Sequence, residues 1–188
     1  MEKKITLKEI VDTKSSFELK IVNRTFADET IQPLEGQNRL YIFAYGFLKD
    51  STFIDIQFVK TRFESGSFNN CRFENCIFND VSFSILEINQ CVFINCQFID
   101  SCFDDIDCYN TNFEACKVVK TQFVSQMFES CQFIRSTPFF ESFPGASFIC
   151  NSKFIESPNK SIDVKGEIAL YQVLDFLDDL KEFEEDND

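Results

Sequence analysis

The sequence predicts an all-β solenoid closed by a C-terminal amphipathic α-helix. Three observations predict it. Phenylalanine returns every fifth residue along 51–150, the residue two places before each Phe is mostly small or apolar, and a helical period takes over in the tail. With 188 residues, 44% hydrophobic, one domain is the natural reading. The 25 Phe stand against no Trp and no His, an extreme bias.

Residues 1–40 are expected to form an N-terminal cap, because the ends of a coil expose unpaired strand edges. Phe17, Leu19, Ile21 and Phe26 are apolar there but show no clear period. The opening MEKKITLKEIVDTK has no apolar stretch of the secretory kind, and nine Cys is an odd number, so a reducing cytoplasm is expected. The longest apolar run, LYIFAYGFL, is too short to span a bilayer, and no membrane partner is expected.

The repeat body is placed at 41–154. From Ser51 the chain divides into twenty pentads without an insertion, and sixteen of the centres are Phe. The exceptions are Ile88, Cys108, Val118 and Pro138. Phe43 and Leu48 continue the register upstream, and after Ala146–Cys150 it is read to slip by one at Phe154. A five-residue period suits neither standard element. On a helix five residues advance the face by about 140°, winding the Phe around every side. On a straight strand, positions five apart point to opposite faces. Bending the chain once per pentad resolves the conflict and points every centre inward.

The expected core is therefore Phe53, Phe58, Phe63, Phe68, Phe73, Phe78, Phe83, Phe93, Phe98, Phe103, Phe113, Phe123, Phe128 and Phe133. Large rings beside small neighbours fill a narrow tube at close packing. Six of those neighbours are Cys71, Cys76, Cys91, Cys96, Cys116 and Cys131. With four pentads per turn, Cys71, Cys91 and Cys131 fall in one column and Cys76, Cys96 and Cys116 in the next. Packing outweighs zinc ligation for them, since there is no His and the spacing is five. Disulfides are disfavoured by a reducing compartment.

These pentads resemble the pentapeptide-repeat family, whose pattern is a small residue, Asp or Asn, Leu or Phe, then two variable residues. The resemblance implies a right-handed, four-sided parallel β-helix with the central residue and the small residue inward. The second pentad position departs from the pattern, being often Arg, Gln, Ser or Thr, which alters the surface and not the core.

Residues 155–188 are expected to hold a helix over about 165–185 followed by an acidic tail. Ala169, Val173, Phe176, Leu177, Leu180 and Phe183 share one face, widened by Leu170 and Leu174. A stripe so wide suggests part cap and part homodimer surface.

Function is constrained mainly by charge. The net charge is −13, which disfavours direct binding of nucleic acid or an anionic membrane. No catalytic, cofactor-binding or metal site is expected. There is no His, no glycine-rich phosphate loop and no nucleophile with an evident base. Asp100, Asp104, Asp105 and Asp107 are dense enough to raise paired acid catalysis or calcium binding, but no loop wraps an ion there, and a solvated acidic corner is the simpler account. An outward apolar column, Val59, Ile99, Val119 and Phe139 with Ile77 and Phe140 beside it, reads either as a protein-binding face or as the seat of the N-terminal segment. The family includes quinolone- and albicidin-resistance proteins that imitate B-DNA and occupy the DNA site of gyrase as dimers. The resemblance thus implies a protein partner, a type II topoisomerase such as gyrase, met by Asp80, Asp100, Asp104, Asp105, Asp107 and Glu114. The alternative is an interaction scaffold for another protein.

Overall fold

The fold rests on one backbone event repeated every five residues. From Asp50 to Arg135 every fifth residue lies in the left-handed region, with φ between 48° and 57°. Asn and Asp enter that region at least cost among non-glycine residues, and they hold nine of these eighteen positions. Each such residue turns the chain between short extended pieces and returns the next Phe to the interior.

The computed structural model describes residues 6–13, 19–136, 148–155, 162–163, 165 and 167–169. The strands stack into three sheets, parallel throughout the coil. The first contains long strands, Thr61–Asn69, Ser82–Asn89, Cys102–Tyr109 and Gln122–Glu129, each running through a left-handed residue at its middle. The second stacks Thr52–Ile54, Arg72–Glu74, Val92–Ile94, Asn112–Glu114 and Gln132–Ile134. The third stacks Gln57–Val59, Ile77–Asn79, Gln97–Ile99 and Lys117–Val119. Phe73, Phe93, Phe113 and Phe133 are partners in one ladder, so a turn takes twenty residues and contains four left-handed residues.

The interior is built of ring columns. Phe26, Phe53, Phe73, Phe93, Phe113, Phe133 and Phe154 stack face to face, with centroids 4.8 to 5.6 Å apart. Neighbouring columns meet edge to face, as Phe63 meets Phe68 at 5.3 Å and 85°. Both arrangements bring the positive edge or offset face of one ring against its neighbour's π-cloud. All fourteen Phe named above as the core are buried, as are the six inward cysteines.

Three sequence readings need correction. Residues 19–31 do hold the period: Ile21, Phe26 and Ile31 are buried and five apart, and Asn23 and Asp28 are left-handed. Lys20–Val22, Thr25–Ala27 and Thr30–Ile31 add a further parallel layer, with Phe26 beside Phe53. Seven residues beyond one turn separate these partners, and they are taken up in 32–39, which hides the repeat from a fixed-period reading. A helix, Leu7–Thr13, packs Leu7 and Val11 into the core. Thr6 and Glu9 form a capping box, and the Glu29 carboxylate accepts from the Leu7 and Lys8 N–H groups at 3.0 and 2.9 Å.

The register slip lies before Phe148, not after Cys150. Ile149 pairs with Phe128 and is fully buried, whereas Phe148 is half-buried. From Ile149 to Phe154 the five-residue step has already resumed.

A helix does not begin at 165. Glu167–Ala169 is a strand antiparallel to Phe148–Cys150, and Ile162–Asp163 is antiparallel to Lys153–Ile155. The last parallel strands present unpaired N–H and C=O groups, and pairing with them outweighs the helical tendency of this stretch. Leu170, Val173, Leu174, Phe176, Leu177, Leu180 and Phe183 lie outside the described residues.

Candidate protein-binding face

The inward small residues are also hydrogen-bonding rungs. The hydroxyl of Ser101 donates to the carbonyls of Ile99 (2.9 Å) or Phe78 (3.1 Å) and accepts from the Val81 N–H at 3.1 Å. Thr111 accepts from the Cys91 N–H at 3.2 Å, Ser136 from Cys116 at 3.0 Å and Ser152 from Cys131 at 2.9 Å. Cysteine does the same more weakly: Cys91 Sγ receives the Cys71 N–H at 3.4 Å and lies 3.5 Å from the Phe68 carbonyl. These rungs satisfy buried backbone groups where the ladder is interrupted at a corner. They also account for the column Ser51, Cys71, Cys91, Thr111, Cys131 and Ser152, in which every inward side chain carries a hydroxyl or a thiol.

The cysteines are thiols, without disulfides among the described residues. Burial first, then hydrogen bonds with Cys116 and Cys76, pushes the Cys96 thiol well above its ordinary range. Burial first, then contact with Cys131, does the same at Cys108, whose Sγ is 3.8 Å from Cys131 Sγ. Among the described residues no three His, Cys, Asp or Glu are grouped to hold a metal ion. No described helix is long and apolar enough to cross a membrane.

This braced interior fixes the outward side chains at strand spacing. The long-strand sheet carries Glu64, Glu87, Asp104, Asp105, Asp107 and Glu129 outward, and Arg62 is the one base within those four strands. Register sets Glu87 beside Asp107 and Ser84 beside Asp104. Asp104, Asp105, Asp107 and Glu87 are exposed and have no ion-pair partner among the described residues. Their field is felt at Tyr109, whose phenol is pushed up by partial desolvation first and then by Asp107, Glu129 and Glu87. Asp100, also exposed, sits at the corner leading into this sheet.

The six acids expected to meet a partner do not form one set. Asp100, Asp104, Asp105 and Asp107 lie at or on the long-strand face. Asp80 is instead bound to Arg39 at 2.6 Å, and Glu114 to Arg135 at 2.5 Å. Both pairs neutralise charge that the sequence reading treated as free. Glu87 and Glu129 belong to the face and were missed, although the twenty-residue register places Glu87 beside Asp107.

The apolar column is interrupted: Val59, Asn79, Ile99 and Val119 are successive partners. Phe139 and Phe140 lie outside the described residues. Residues 20–31 stack on the end of the sheets and do not fold back over this column.

No family model and no curated protein matches the chain. Solved structures similar to it include two trypsin-treated variants of QnrB1, a plasmid-mediated fluoroquinolone resistance protein. They are 13% and 14% identical, each with a TM-score of 0.25, covering 73% and 91% of this chain and 70% and 93% of theirs. A candidate glycosyl hydrolase from Parabacteroides merdae ATCC 43184 is 8% identical with a TM-score of 0.28, covering 84% of this chain and 88% of that one. Likeness at this level transfers no function.

Proposed function

We propose that the chain is a non-enzymatic, protein-binding member of the pentapeptide-repeat type, right-handed and four-sided, which occupies the DNA saddle of a type II topoisomerase such as gyrase. The observation that carries this reading is the set of unpaired carboxylates, Asp104, Asp105, Asp107 and Glu87, held on a stiff sheet with no base among them. A rigid row of negative charge complements a basic saddle and steers association. In this reading the protein is cytoplasmic, uses no cofactor, metal or membrane, makes no direct contact with nucleic acid, and dimerises through Leu170, Val173, Leu174, Phe176, Leu177, Leu180 and Phe183. Residues 1–40 and 155–188 act as caps on the body at 41–154.

The second reading is a scaffold for a different protein. Neutralisation of Asp80 by Arg39 and of Glu114 by Arg135 favours it, because it thins the charge available to imitate DNA.

A gyrase supercoiling assay with and without the protein, and with and without a fluoroquinolone, tests the first reading. Slowed supercoiling or altered drug-stabilised cleavage at micromolar protein is expected. No change in either leaves only the scaffold reading. Sedimentation checks the assembly: a wild-type monomer at micromolar concentration removes the dimer.

A further inference from the structure

Ile85 stands out among the corners. It has φ of 54°, and of the left-handed positions it is the one occupied by a β-branched residue. A branched Cβ crowds the following carbonyl in that region, so the conformation is strained. Its side chain returns little of this by burial, being 55% exposed. The corners on the adjacent strands are Ser65 and Asp105, and elsewhere the role falls mostly to Asn, Asp, Ser or Lys.

The surroundings give that side chain a use. The pairing of Phe47 with Ser67 sets Tyr45 opposite Ser65 on the preceding turn, and Tyr45 is 61% exposed. Two large apolar groups therefore flank a serine, about 10 Å apart at two strand spacings. On the Ile85 side stand the unpaired Glu87, Asp104, Asp105 and Asp107.

We infer that Ile85 and Tyr45 form an apolar anchor point over Ser65, taking one aliphatic side chain of a partner protein segment whose flanking residues are Lys or Arg. The apolar pair selects the central residue, and the adjacent carboxylates select its neighbours by charge complementarity. This rests on the reading of the long-strand face as protein-binding, and not on gyrase being the partner.

The test uses two fluorescein-labelled peptides, Lys-Lys-Lys-Leu-Lys-Lys-Lys and the same sequence with Ser for Leu, titrated against the full chain by anisotropy. Wild type should bind the Leu peptide about tenfold more tightly, the effect of burying one aliphatic side chain. Ile85→Asn relieves the backbone, so it should unfold at higher urea than wild type while losing the Leu preference. Equal binding of both peptides to wild type, or an unchanged Leu preference in Ile85→Asn, overturns the anchor. If both bind equally and the triple change Asp104→Asn, Asp105→Asn, Asp107→Asn abolishes that binding, the anchor falls and the acidic face stands. If neither peptide binds wild type, both fall. Should Ile85→Asn convert a wild-type dimer to monomer, the occupant is a second copy, and the basic-partner inference is overturned.

Discussion

The Phe93 ring lies on the Phe73 ring with centroids 4.8 Å apart and planes within 5° of parallel. Phe113 covers its other face at 5.0 Å, and Phe78 and Phe98 meet it from the neighbouring column. Each ring thus supports the turn above and the turn below. Phe93→Ala removes a fully enclosed ring from the middle of the stack, where collapse would require two turns to shift together. The expected cost is about 3–5 kcal/mol in urea unfolding. A cost under about 1 kcal/mol would mean that the ring column does not hold the coil together.

The rungs beside the rings give a sharper test. Thr111 receives the Cys91 N–H and donates to the Tyr109 carbonyl at 2.9 Å. Thr111→Val preserves shape and leaves the buried Cys91 N–H unpaired, for a loss of about 1–3 kcal/mol, while the Tyr109 carbonyl still accepts from the Gln90 N–H at 3.1 Å. Thr111→Ser keeps both bonds and should lose much less. Equal stability of the Val and Ser variants would show that the inner position only fills space.

Much of the coil was legible because Phe holds sixteen of the twenty pentad centres at a five-residue step. The corner was legible as a necessity but not as a position. Its signal lies in the Asn and Asp at residues such as Asp55, Asn75, Asn95 and Asp100, whose tolerance of positive φ marks the bend. Ile21, Phe26 and Ile31 escaped because three repeats followed by an irregular loop give a weak period. Arg39 and Asp80 are 41 residues apart, and nothing local announces their pairing. Arg135 and Glu114 were within reach, being one residue more than a turn apart. The tail misled because the apolar spacing of ALYQVLDFL is helical, while the demand that made Glu167–Ala169 a strand comes from the open edge at Phe148–Cys150.

Alkaline pH should destabilise the fold. Cys96 and Cys108 hold their protons in the folded chain well above the ordinary thiol range. In the unfolded chain they ionise near pH 8.5. Above that pH the unfolded state therefore binds fewer protons, and stability falls as pH rises, by about 1.4 kcal/mol per pH unit for each thiol. Below pH 8 both states are protonated at these sites and the slope from them vanishes. Urea midpoints at pH 7.5 and pH 9.5 check this, and replacing Cys96 by Ser should reduce the slope. A slope left unchanged by the Cys96 replacement would contradict the burial of that thiol.

The Arg39 and Asp80 pair ties the segment before the first long strand to the body, but both groups are partly exposed. Arg39→Ala should therefore cost less than about 1 kcal/mol, and the loss should shrink further in high salt. A salt-independent loss of several kcal/mol would mean that Arg39 acts through packing and not through its charge.

Displacement of DNA from gyrase, followed against salt concentration, tests the central claim most directly. The wild-type chain should displace DNA at micromolar concentration and lose that ability as salt rises, since attraction between exposed charges is screened over about 8 Å at physiological ionic strength. Replacing Asp100, Asp104, Asp105 and Asp107 together by Asn should weaken displacement and flatten its salt dependence. A wild-type chain that displaces no DNA, or a quadruple variant that displaces it as well as wild type at every salt concentration, would contradict the account.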